Sequence, residues 1–248
     1  MKRAQACGIH AVDALLNARP ETVVRLRVAG ERGRIAALAA RARDHGIAVE
    51  TVPGATLDQL AEGAVHQGVV AEFRPARAFA ETDLDTLIRE AGTDPLVLVL
   101  DQVQDPHNLG ACLRSAAAAG ACAVIVPRDR AAGLTPAARK AAAGAAERLP
   151  LIEVTNLART LERLKNLGLW SVGLAGEAEV SLYDTDLTGP LALVTGSEQY
   201  GLRRLTRQRC DRLARIPMAA DNESLNASVA AGIALFEARR QRQSDRSS

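Results

Sequence analysis

Three short polar segments, each placed behind an apolar run, carry the residues of this sequence that are best suited to chemistry. They are residues 108–114 (NLGACLR), 196–201 (GSEQYG) and 224–226 (SLN). Open α/β sheets place their ligand sites at the ends of parallel strands, so segments in this position are expected to meet in one pocket. We therefore expect the function to lie in the C-terminal half of the chain.

Asn108 and Arg114 form the first pair of candidate residues. Asn108 is suited to cap a helix that starts near Leu109, because its side-chain oxygen can accept from free backbone N–H groups. Arg114 follows six residues later, nearly two helical turns on. We therefore expect Arg114 to share a helix face with Asn108 and to point toward the same ligand.

The glycines of residues 196–201 invite a comparison with phosphate-binding loops. Gly196 and Gly201 have the GxxxxG spacing of a P-loop, but Leu202 and Arg203 stand where Lys and Ser or Thr would have to reach phosphate and magnesium. No predicted strand is followed by GxGxxG either. The sequence therefore gives no support to a P-loop or to an ordinary dinucleotide site.

Apolar runs predict the strands that position the three polar segments. We expect six strands in the C-terminal half, at residues 96–100, 123–126, 151–154, 169–174, 191–195 and 213–216. Helical segments lie between most of them, and near-continuous apolar strands indicate burial on both faces. The prediction is an α/β fold with a parallel sheet covered by helices, in which the last helix runs from about Ser224 to Arg240.

The N-terminal part predicts a separate small α/β unit. A helix that stops at Pro20 is followed by a strand at 23–28, a helix at 34–45 and strands at 47–52 and 68–73. Residues 74–94 are broken by Pro75 and Gly92 and predict a linker with a short amphipathic helix. We therefore predict a domain of residues 1–73, a linker of residues 74–94 and a domain of residues 95–248.

The distribution of charge is more informative than its total. The net charge is only +2, from 31 Lys+Arg and 29 Asp+Glu, yet residues 202–215 hold six arginines and a single acid. Local positive charge beside a pocket can hold a phosphate backbone, although a solvated helix face would have the same composition. In the N-terminal part, phosphate contacts are expected from Arg25, Arg27, Arg32 and Arg34.

Cysteines, histidines and hydropathy exclude several classes of protein. The four cysteines lack CxxC spacing, and the four histidines are scattered without a nearby cysteine or carboxylate pattern. We therefore expect neither a disulfide framework nor a metal site. No apolar stretch is long enough to span a bilayer and no signal-peptide core follows Met1, so a cytoplasmic protein is expected.

The order of the motifs carries a family resemblance. The motifs NxGxxxR, GSExxGL after the run LALVT, IPM, and SLNxSVA together resemble the SPOUT class of RNA methyltransferases, specifically its SpoU–TrmH branch of ribose 2′-O-methyltransferases. The resemblance is strong in the C-terminal domain. It is weaker in the N-terminal segments GIHAVxALL and GAVHQGVVA. Taken together, the motifs of both parts look most like those of enzymes that methylate a guanosine in 23S ribosomal RNA.

The resemblance implies features that periodicity could not have shown. It implies a deep trefoil knot in the C-terminal domain, with S-adenosylmethionine bound bent in the loops of the knot, and a small RNA-binding N-terminal domain related to ribosomal protein L30e. A homodimer formed through the C-terminal domain is also implied, with the last helix as a candidate contact. By motif position, the implied cofactor-binding residues are Thr195, Gly196, Ile216, Met218, Ser224 and Leu225.

The same resemblance places Arg114 at the catalytic position, with Asn108, Glu198 and Asn226 around it. A ribose 2′-hydroxyl is a poor nucleophile at neutral pH, so the site must help remove its proton and align the oxygen with the methyl group. Arg114 serves either as a general base or, more easily for a guanidinium, as a fork that holds an RNA phosphate. Glu198 is expected to pair with Arg114 or with a helix N-terminus.

Two other functions stay open. One is a transfer-RNA ribose methyltransferase, against which the additional N-terminal domain argues, because the short members of that group have a single domain. The other is a non-catalytic RNA-binding or ribosome-assembly protein of the same fold. Loss of Asn108, Arg114 or Asn226 would favour that protein, and all three residues are present.

Overall fold

The computed structural model describes residues 3–74, 79–219 and 224–245. The chain divides into two compact units, residues 1–78 and residues 79–248. Within the described residues, none of the helices combines the length and the apolar character that crossing a membrane requires.

The first unit is a four-stranded sheet with three helices. Its strands follow the order β1-β4-β2-β3, in which β2 and β3 are parallel and β4 is antiparallel to both β1 and β2. Leu15, Leu16 and Leu26 lie in its core because α1 and β2 turn their apolar residues inward. The elements are β1 (Ala4–Cys7), α1 (Ile9–Ala18), β2 (Val23–Val28), α2 (Gly33–Asp44), β3 (Ala48–Thr51), α3 (Gly54–Ala61) and β4 (Val69–Phe73).

Two of the four arginines expected to contact phosphate are engaged inside this sheet. Arg25 lies 2.8 Å from Glu50, and Arg27 lies 3.2 Å from both Glu50 and Glu72. Strand register places Arg27 of β2 opposite Glu50 of β3, and Arg25 opposite Glu72 of β4. The four side chains therefore lie on one face of the sheet, where Arg25 also reaches Glu50 and Arg27 also reaches Glu72 as diagonal neighbours. The expectation for Arg25 and Arg27 is therefore not supported, since their guanidinium groups are already paired.

The second unit is built on a six-stranded sheet in which every pair of neighbouring strands is parallel. The strand order is β10-β8-β9-β5-β6-β7, as the apolar runs of the sequence predict for an α/β fold. Its strands are β5 (Leu96–Leu100), β6 (Ala123–Pro127), β7 (Leu151–Val154), β8 (Trp170–Leu174), β9 (Leu191–Thr195) and β10 (Arg212–Ala214). Its helices are α4 (Leu84–Glu90), α5 (Pro106–Ala119), α6 (Pro136–Ala142), α7 (Leu157–Asn166), α8 (Arg204–Arg209) and α9 (Ala227–Asp245).

The central strand β5 is buried on both faces. Leu98 belongs to one core cluster together with residues of α5, α6 and α9, whereas Val97 and Val99 belong to another together with residues of α4 and α7. Successive side chains of a strand point to opposite faces, so two helical layers are needed to cover an all-apolar strand. The structure confirms the predicted burial of the sheet on both sides.

The segment predicted as a linker differs from the prediction in its second part. Phe79 bridges Ile152 of β7, and α4 buries Leu84 and Ile88 in the core on one face of the sheet. Residues 79–90 therefore belong to the second unit. Their few apolar residues fall at helical spacing and are sufficient to pack one short helix against β7 and α7.

Helix α5 begins earlier than the sequence suggests. The carboxylate of Asp105 caps the helix by accepting a hydrogen bond from the backbone N–H of His107 at 2.9 Å, and Pro106 is the first helical residue. Asn108 is therefore not the N-cap. Because an α-helix turns by roughly 100° per residue, six residues place Arg114 about 120° around the helix from Asn108, so the shared face expected for these two residues is also wrong.

Candidate active site

The carboxyl ends of four strands meet at one edge of the second sheet. Thr195, the last residue of β9, is paired with Leu100 at the end of β5, and Ala214 of β10 is paired with Leu174 at the end of β8. The polar segments that follow β5 and β9 therefore begin side by side. This arrangement confirms the expectation that sequence-distant segments share one edge.

Three of the four predicted catalytic side chains are in direct contact at this edge. The amide nitrogen Nδ2 of Asn108 donates to Oε1 of Glu198 at 2.9 Å. The amide nitrogen of Asn226 donates to the same oxygen at 2.5 Å and to Oδ1 of Asn108 at 3.0 Å. These side chains come from positions 108, 198 and 226, so their convergence is a property of the fold and not of local sequence.

Asn226 also caps the last helix. Its Oδ1 accepts from the backbone N–H groups of Ser228 at 2.9 Å and Val229 at 3.4 Å, and from the hydroxyl of Ser228 at 2.6 Å. With its oxygen engaged in the cap, the amide must turn its nitrogen toward Asn108 and Glu198. The helix start therefore fixes the orientation of this candidate active-site group.

Glu198 is the common acceptor of the cluster. Its Oε1 accepts hydrogen bonds from both asparagine side chains and from the backbone N–H of Ala227, the first residue of α9, at 3.1 Å. A carboxylate at a helix N-terminus is stabilised by the free N–H groups and by the helix dipole. Of the two contacts expected for Glu198, the structure shows the one with a helix N-terminus.

The loop that carries Glu198 is closed on itself. Ser197 and Gly201 exchange two backbone hydrogen bonds, of 3.1 and 2.9 Å. A Cβ atom added to Gly196 would stand 2.1 Å from the carbonyl carbon of Gly201, and Gly201 itself has a φ of 60°. Position 196 therefore requires glycine, because any side chain would collide with the backbone of its own loop.

A buried ion pair anchors the far end of this loop. Asp101 follows β5 and is fully buried; its Oδ2 accepts from the backbone N–H of Arg203 at 2.9 Å and its Oδ1 accepts from Nε of Arg203 at 2.6 Å. Asp101 was not among the site residues predicted from the sequence. The sequence does contain a signal for this residue, because an acidic side chain directly follows the apolar run LVLVL. A charged group next to a buried strand indicates that a partner for the charge lies nearby.

The predicted cofactor-binding residues occupy this region of the unit with different exposures. Thr195 is buried, Ile216 and Leu225 are half-buried, and Met218 is 36% exposed. Ile216 and Leu174 both pack against the core cluster on the α5 side. Leu174 was not predicted as a site residue, although its place at the end of β8 puts it beside β10 on the same edge.

Arg114 is separate from the polar cluster. Its side chain is exposed and, within the part of the chain that the structure describes, makes no hydrogen bond or ion pair. Together with Arg148 it lines a shallow cleft of about 450 Å³ between α5 and residues 142–149. The structure thus brings Asn108, Glu198 and Asn226 together and leaves Arg114 outside their hydrogen-bond network.

The arginine-rich segment 202–215 is largely paired within the chain. Arg207 and Arg209 form ion pairs with Glu177 and Glu162. Arg203 forms an ion pair with Asp101, and Arg215 donates hydrogen bonds to the carbonyl oxygens of Ala178 and Glu179. The guanidinium carbon of Arg212 lies over the ring of Trp170, 6.0 Å from its centroid. The excess of positive charge seen in this segment therefore overstates the number of cations it can offer to a ligand.

One thiol lies directly beneath the cluster. Cys112 of α5 is fully buried, and burial, with a smaller contribution from the negative charge of Glu198, raises its pKa to about 12. The thiol is therefore neutral at physiological pH and has no nucleophilic role. Within the described residues, no group of His, Cys, Asp and Glu side chains is arranged to hold a metal ion.

Comparison with known families gives this arrangement a context. Residues 95–236 match the SpoU rRNA methylase family, and residues 5–79 match the family described as RNA 2′-O ribose methyltransferase substrate binding. The protein belongs to the SpoU rRNA methylase family.

Individual relatives agree with the family along nearly the whole chain. The chain is 54% identical over 241 residues to the 23S rRNA (guanosine-2′-O-)-methyltransferase RlmB of Pseudomonas syringae pv. tomato, covering 96% of each chain. It is 55% identical over 238 residues to the protein of the same name from Pasteurella multocida, covering 95% of this chain and 97% of that one. The SpoU methyltransferase AviRb of Streptomyces viridochromogenes, solved with the cofactor AdoMet, is 26% identical with a TM-score of 0.78, covering 98% and 91% of the two chains.

Proposed function

We propose that the protein transfers a methyl group from S-adenosylmethionine to the ribose 2′-hydroxyl of a guanosine in 23S ribosomal RNA. The observation that carries the proposal is the contact among Asn108, Glu198 and Asn226 beside the closed loop of Gly196. This cluster joins all three motif segments of the family at one edge of the sheet. The extent of identity to relatives named for this reaction supports the choice of substrate.

The residues at the carboxyl edge suit S-adenosylmethionine. When bound, the cofactor supplies an electrophilic methyl group attached to a sulfonium. Ile216, Leu225 and Leu174 offer partly buried apolar surface for a purine, and the glycine at position 196 lets the backbone approach a ligand closely. Thr195, Met218 and Ser224 complete the set of cofactor-binding residues that we propose.

The polar cluster would position the reacting ribose. Oε1 of Glu198 is saturated by three donors, whereas no hydrogen bond to its Oε2 is found among the described residues. A free carboxylate oxygen can accept a hydrogen bond from the 2′-hydroxyl, and the rigid network keeps that oxygen in place. Arg114 would clamp the adjacent RNA phosphate with its two-pronged guanidinium, which neutralises negative charge near the reacting oxygen.

The first unit would bind the RNA substrate outside the reacting nucleotide. Its match to a substrate-binding family supports this role, and the likeness of a first domain of residues 1–73 to L30e stays a prediction. Arg32 and Arg34 are exposed and have no partner within the described residues, in contrast to Arg25 and Arg27. We expect phosphate contacts from Arg32 and Arg34, which fix position without reading sequence.

A homodimer formed through the second unit is part of this proposal. Val229 and Phe236 of α9 are 48% and 49% exposed, and with Ile233 between them they fall on one face of the helix. Large apolar side chains left on one helix face are typical of an interface. Light scattering at micromolar concentration should give the mass of a dimer for the wild type and of a monomer for Phe236→Glu; a monomeric wild type would contradict the dimer.

The knot and the cellular location complete the proposal. From β10 at one side of the sheet, the chain returns to place Asn226 against Asn108, which follows the more central strand β5. A trefoil knot requires the returning chain to pass through a loop, and tracing the backbone in a crystal structure would decide whether it does. We place the reaction in the cytoplasm, because its RNA substrate is made there; fractionation of cells that express the tagged protein would test this.

The test of function uses a radiolabelled methyl donor and two separate substrates, 23S ribosomal RNA and transfer RNA. Label in ribosomal RNA that survives alkali at one linkage, because a 2′-O-methyl group blocks hydrolysis there, is the expected result. Asn226→Ala should abolish the label, while Asn166→Ala, an exposed asparagine at the end of α7, should not. Label confined to transfer RNA would overturn the substrate, and no label in either fraction would favour a non-catalytic RNA-binding protein.

A further inference from the structure

The cleft beside α5 has a second arginine that the polar cluster does not use. It lies between α5 and residues 142–149, has a volume of about 450 Å³, and has Arg114 and Arg148 among the residues that line it. We infer that this cleft binds a phosphodiester of the RNA strand and that Arg148 is a phosphate ligand beside Arg114. The inference rests on the proposed function, because it assigns part of the RNA-binding surface of that enzyme.

The charges around the cleft are the first argument. Its lining contains two arginines and no acidic residue. Within residues 3–74, 79–219 and 224–245, neither the side chain of Arg114 nor that of Arg148 has a hydrogen bond or an ion pair. Glu147, the acid next to Arg148 in sequence, is paired with Arg139. Two neighbouring cations without a counter-charge attract an anionic ligand.

The contrast with other arginines of the same unit strengthens this argument. Arg163, Arg203, Arg207, Arg209 and Arg240 each have an acidic partner within the chain. In these five places the fold therefore sets a carboxylate beside the guanidinium group. Arg114 and Arg148 have no such partner among the described residues; Arg159 has none either, but Arg114 and Arg148 line the same cleft, and Arg114 occupies the catalytic position of the family motif.

The shape of the cleft identifies the part of the RNA that fits. Its walls are formed mainly by alanines, including Ala117, Ala118 and Ala145, so no aromatic side chain is available to stack on a base. The short side chains of these walls leave room for a ligand beside the two arginines, and each guanidinium can donate two hydrogen bonds to phosphate oxygens. A backbone phosphodiester matches this combination of charge and small walls better than a nucleobase does.

The position of Arg148 is set independently of the polar cluster. It directly follows the short 3₁₀ turn Ala145–Glu147, whose Ala145 is buried against α5. Gly110 of α5 allows this side of the unit to approach closely, since a Cβ atom there would stand 2.4 Å from the carbonyl oxygen of Ala138. Arg148 is therefore held at the cleft by packing, and replacing its exposed side chain should leave the fold intact.

The experiment compares Arg148→Gln with Arg159→Gln. Arg159 is an exposed arginine of α7 on the opposite face of the sheet, and its side chain has no hydrogen bond or ion pair among the described residues. Initial methylation rates would be measured as a function of ribosomal RNA concentration, together with the affinity for S-adenosylmethionine and the Tm. We expect Arg148→Gln to raise the KM for RNA about tenfold, as loss of a charge-assisted hydrogen bond predicts. The kcat, the cofactor affinity and the Tm should stay within error of Arg159→Gln, and Arg148→Lys should recover part of the KM.

Three outcomes would overturn the inference. The first is a KM for RNA in Arg148→Gln equal to that of Arg159→Gln, and the second is a loss of kcat or Tm without a change in KM. The third is binding of inorganic phosphate to the wild type that depends on Arg148 while RNA affinity does not, which would indicate a small-anion site. Direct RNA binding by fluorescence polarisation separates this inference from the proposed function: binding that depends on Arg148 in a protein that transfers no methyl group would support the cleft and reject the enzyme.

Discussion

Replacing Asp101 by Asn tests whether the buried ion pair holds the loop of residues 196–203. Both oxygens of Asp101 accept from Arg203, at 2.9 and 2.6 Å, and the side chain of Asp101 is fully buried. Asparagine keeps the shape and one acceptor but turns an NH₂ group toward the second donor. A hydrogen bond to a charged group contributes about 1.5–3 kcal/mol, and an unpaired buried donor costs about 1–3 kcal/mol.

The exposure of Arg203 decides how much unfolding free energy the substitution should cost. Its side chain is 40% exposed, so water can solvate the guanidinium after the change. We therefore expect Asp101→Asn to lower the free energy of unfolding of the second unit by about 2 kcal/mol, which is close to the loss of the charged hydrogen bond alone. Because the loop carries Gly196 and Glu198, the affinity for S-adenosylmethionine should fall as well.

The assay can report on the second unit alone. Trp170 of β8 is the only tryptophan of the chain, so its fluorescence during urea unfolding follows that unit and not the first. Asp129→Asn, at an exposed aspartate of the same unit, is the matched control. A change in unfolding free energy no larger than that of the control, with cofactor affinity unchanged, would refute the reasoning that Asp101 anchors the loop.

Three further predictions concern the loop, the helix cap and the buried thiols. Gly196→Ala should abolish measurable cofactor binding in calorimetry, because the added Cβ would stand 2.1 Å from Gly201. Gly133 has open space around it, so Gly133→Ala should bind the cofactor normally. Equal binding by both variants would contradict the close approach at position 196. Asn226→Ala should lower the unfolding free energy by about 1 kcal/mol through loss of the cap on α9, and an unchanged urea midpoint would contradict that role. Burial raises the pKa of Cys112 and of the partly buried Cys210 to about 12. Cys112, which is fully buried, should not react with a thiol reagent at pH 8.5 until the protein is unfolded, and prompt labelling of Cys112 in the native state would disprove its burial.

The same two thiols give a direction for the pH dependence of stability. Their folded-state pKa lies above the unfolded value of 9.0, so the unfolded chain loses these protons first as the pH rises. Their contribution to stability is therefore complete below about pH 9 and declines between pH 9 and about 12. Thermal unfolding of Cys112→Ala should show a weaker decline across this window than the wild type, and an identical decline would show that other groups dominate it.

Much of the second unit could be predicted from the sequence, because its strands are apolar on both faces. The runs at 96–100, 151–154 and 191–195 agree in both ends with β5, β7 and β9. In the first unit, β1 and α3 were missed. Ala4–Cys7 is short and pairs at the edge with β4, so its strand conformation depends on a partner more than sixty positions away and not on its own composition.

The site was predictable as a set of residues, but its geometry was not. The motifs indicated Asn108, Glu198 and Asn226, yet only the fold shows that Oε1 of Glu198 is the shared acceptor. Six residues are not a whole number of helical turns, so Arg114 and Asn108 lie on different faces of α5. The prediction of a shared face treated the six residues as nearly two complete turns. The pairing of Arg27 with Glu50 and Glu72 depends on strand register, which a count of charges along the chain does not contain.

The internal pairing of arginines has a consequence for how tightly the protein can hold RNA without recognising it. A protein releases roughly one condensed counterion for each RNA phosphate that it neutralises. Its affinity for RNA therefore falls more steeply with added salt when more cationic side chains contact the backbone. Guanidinium groups already matched by carboxylates add little to that count. The chain thereby limits adsorption to arbitrary RNA, and its release from a finished product should be correspondingly easy.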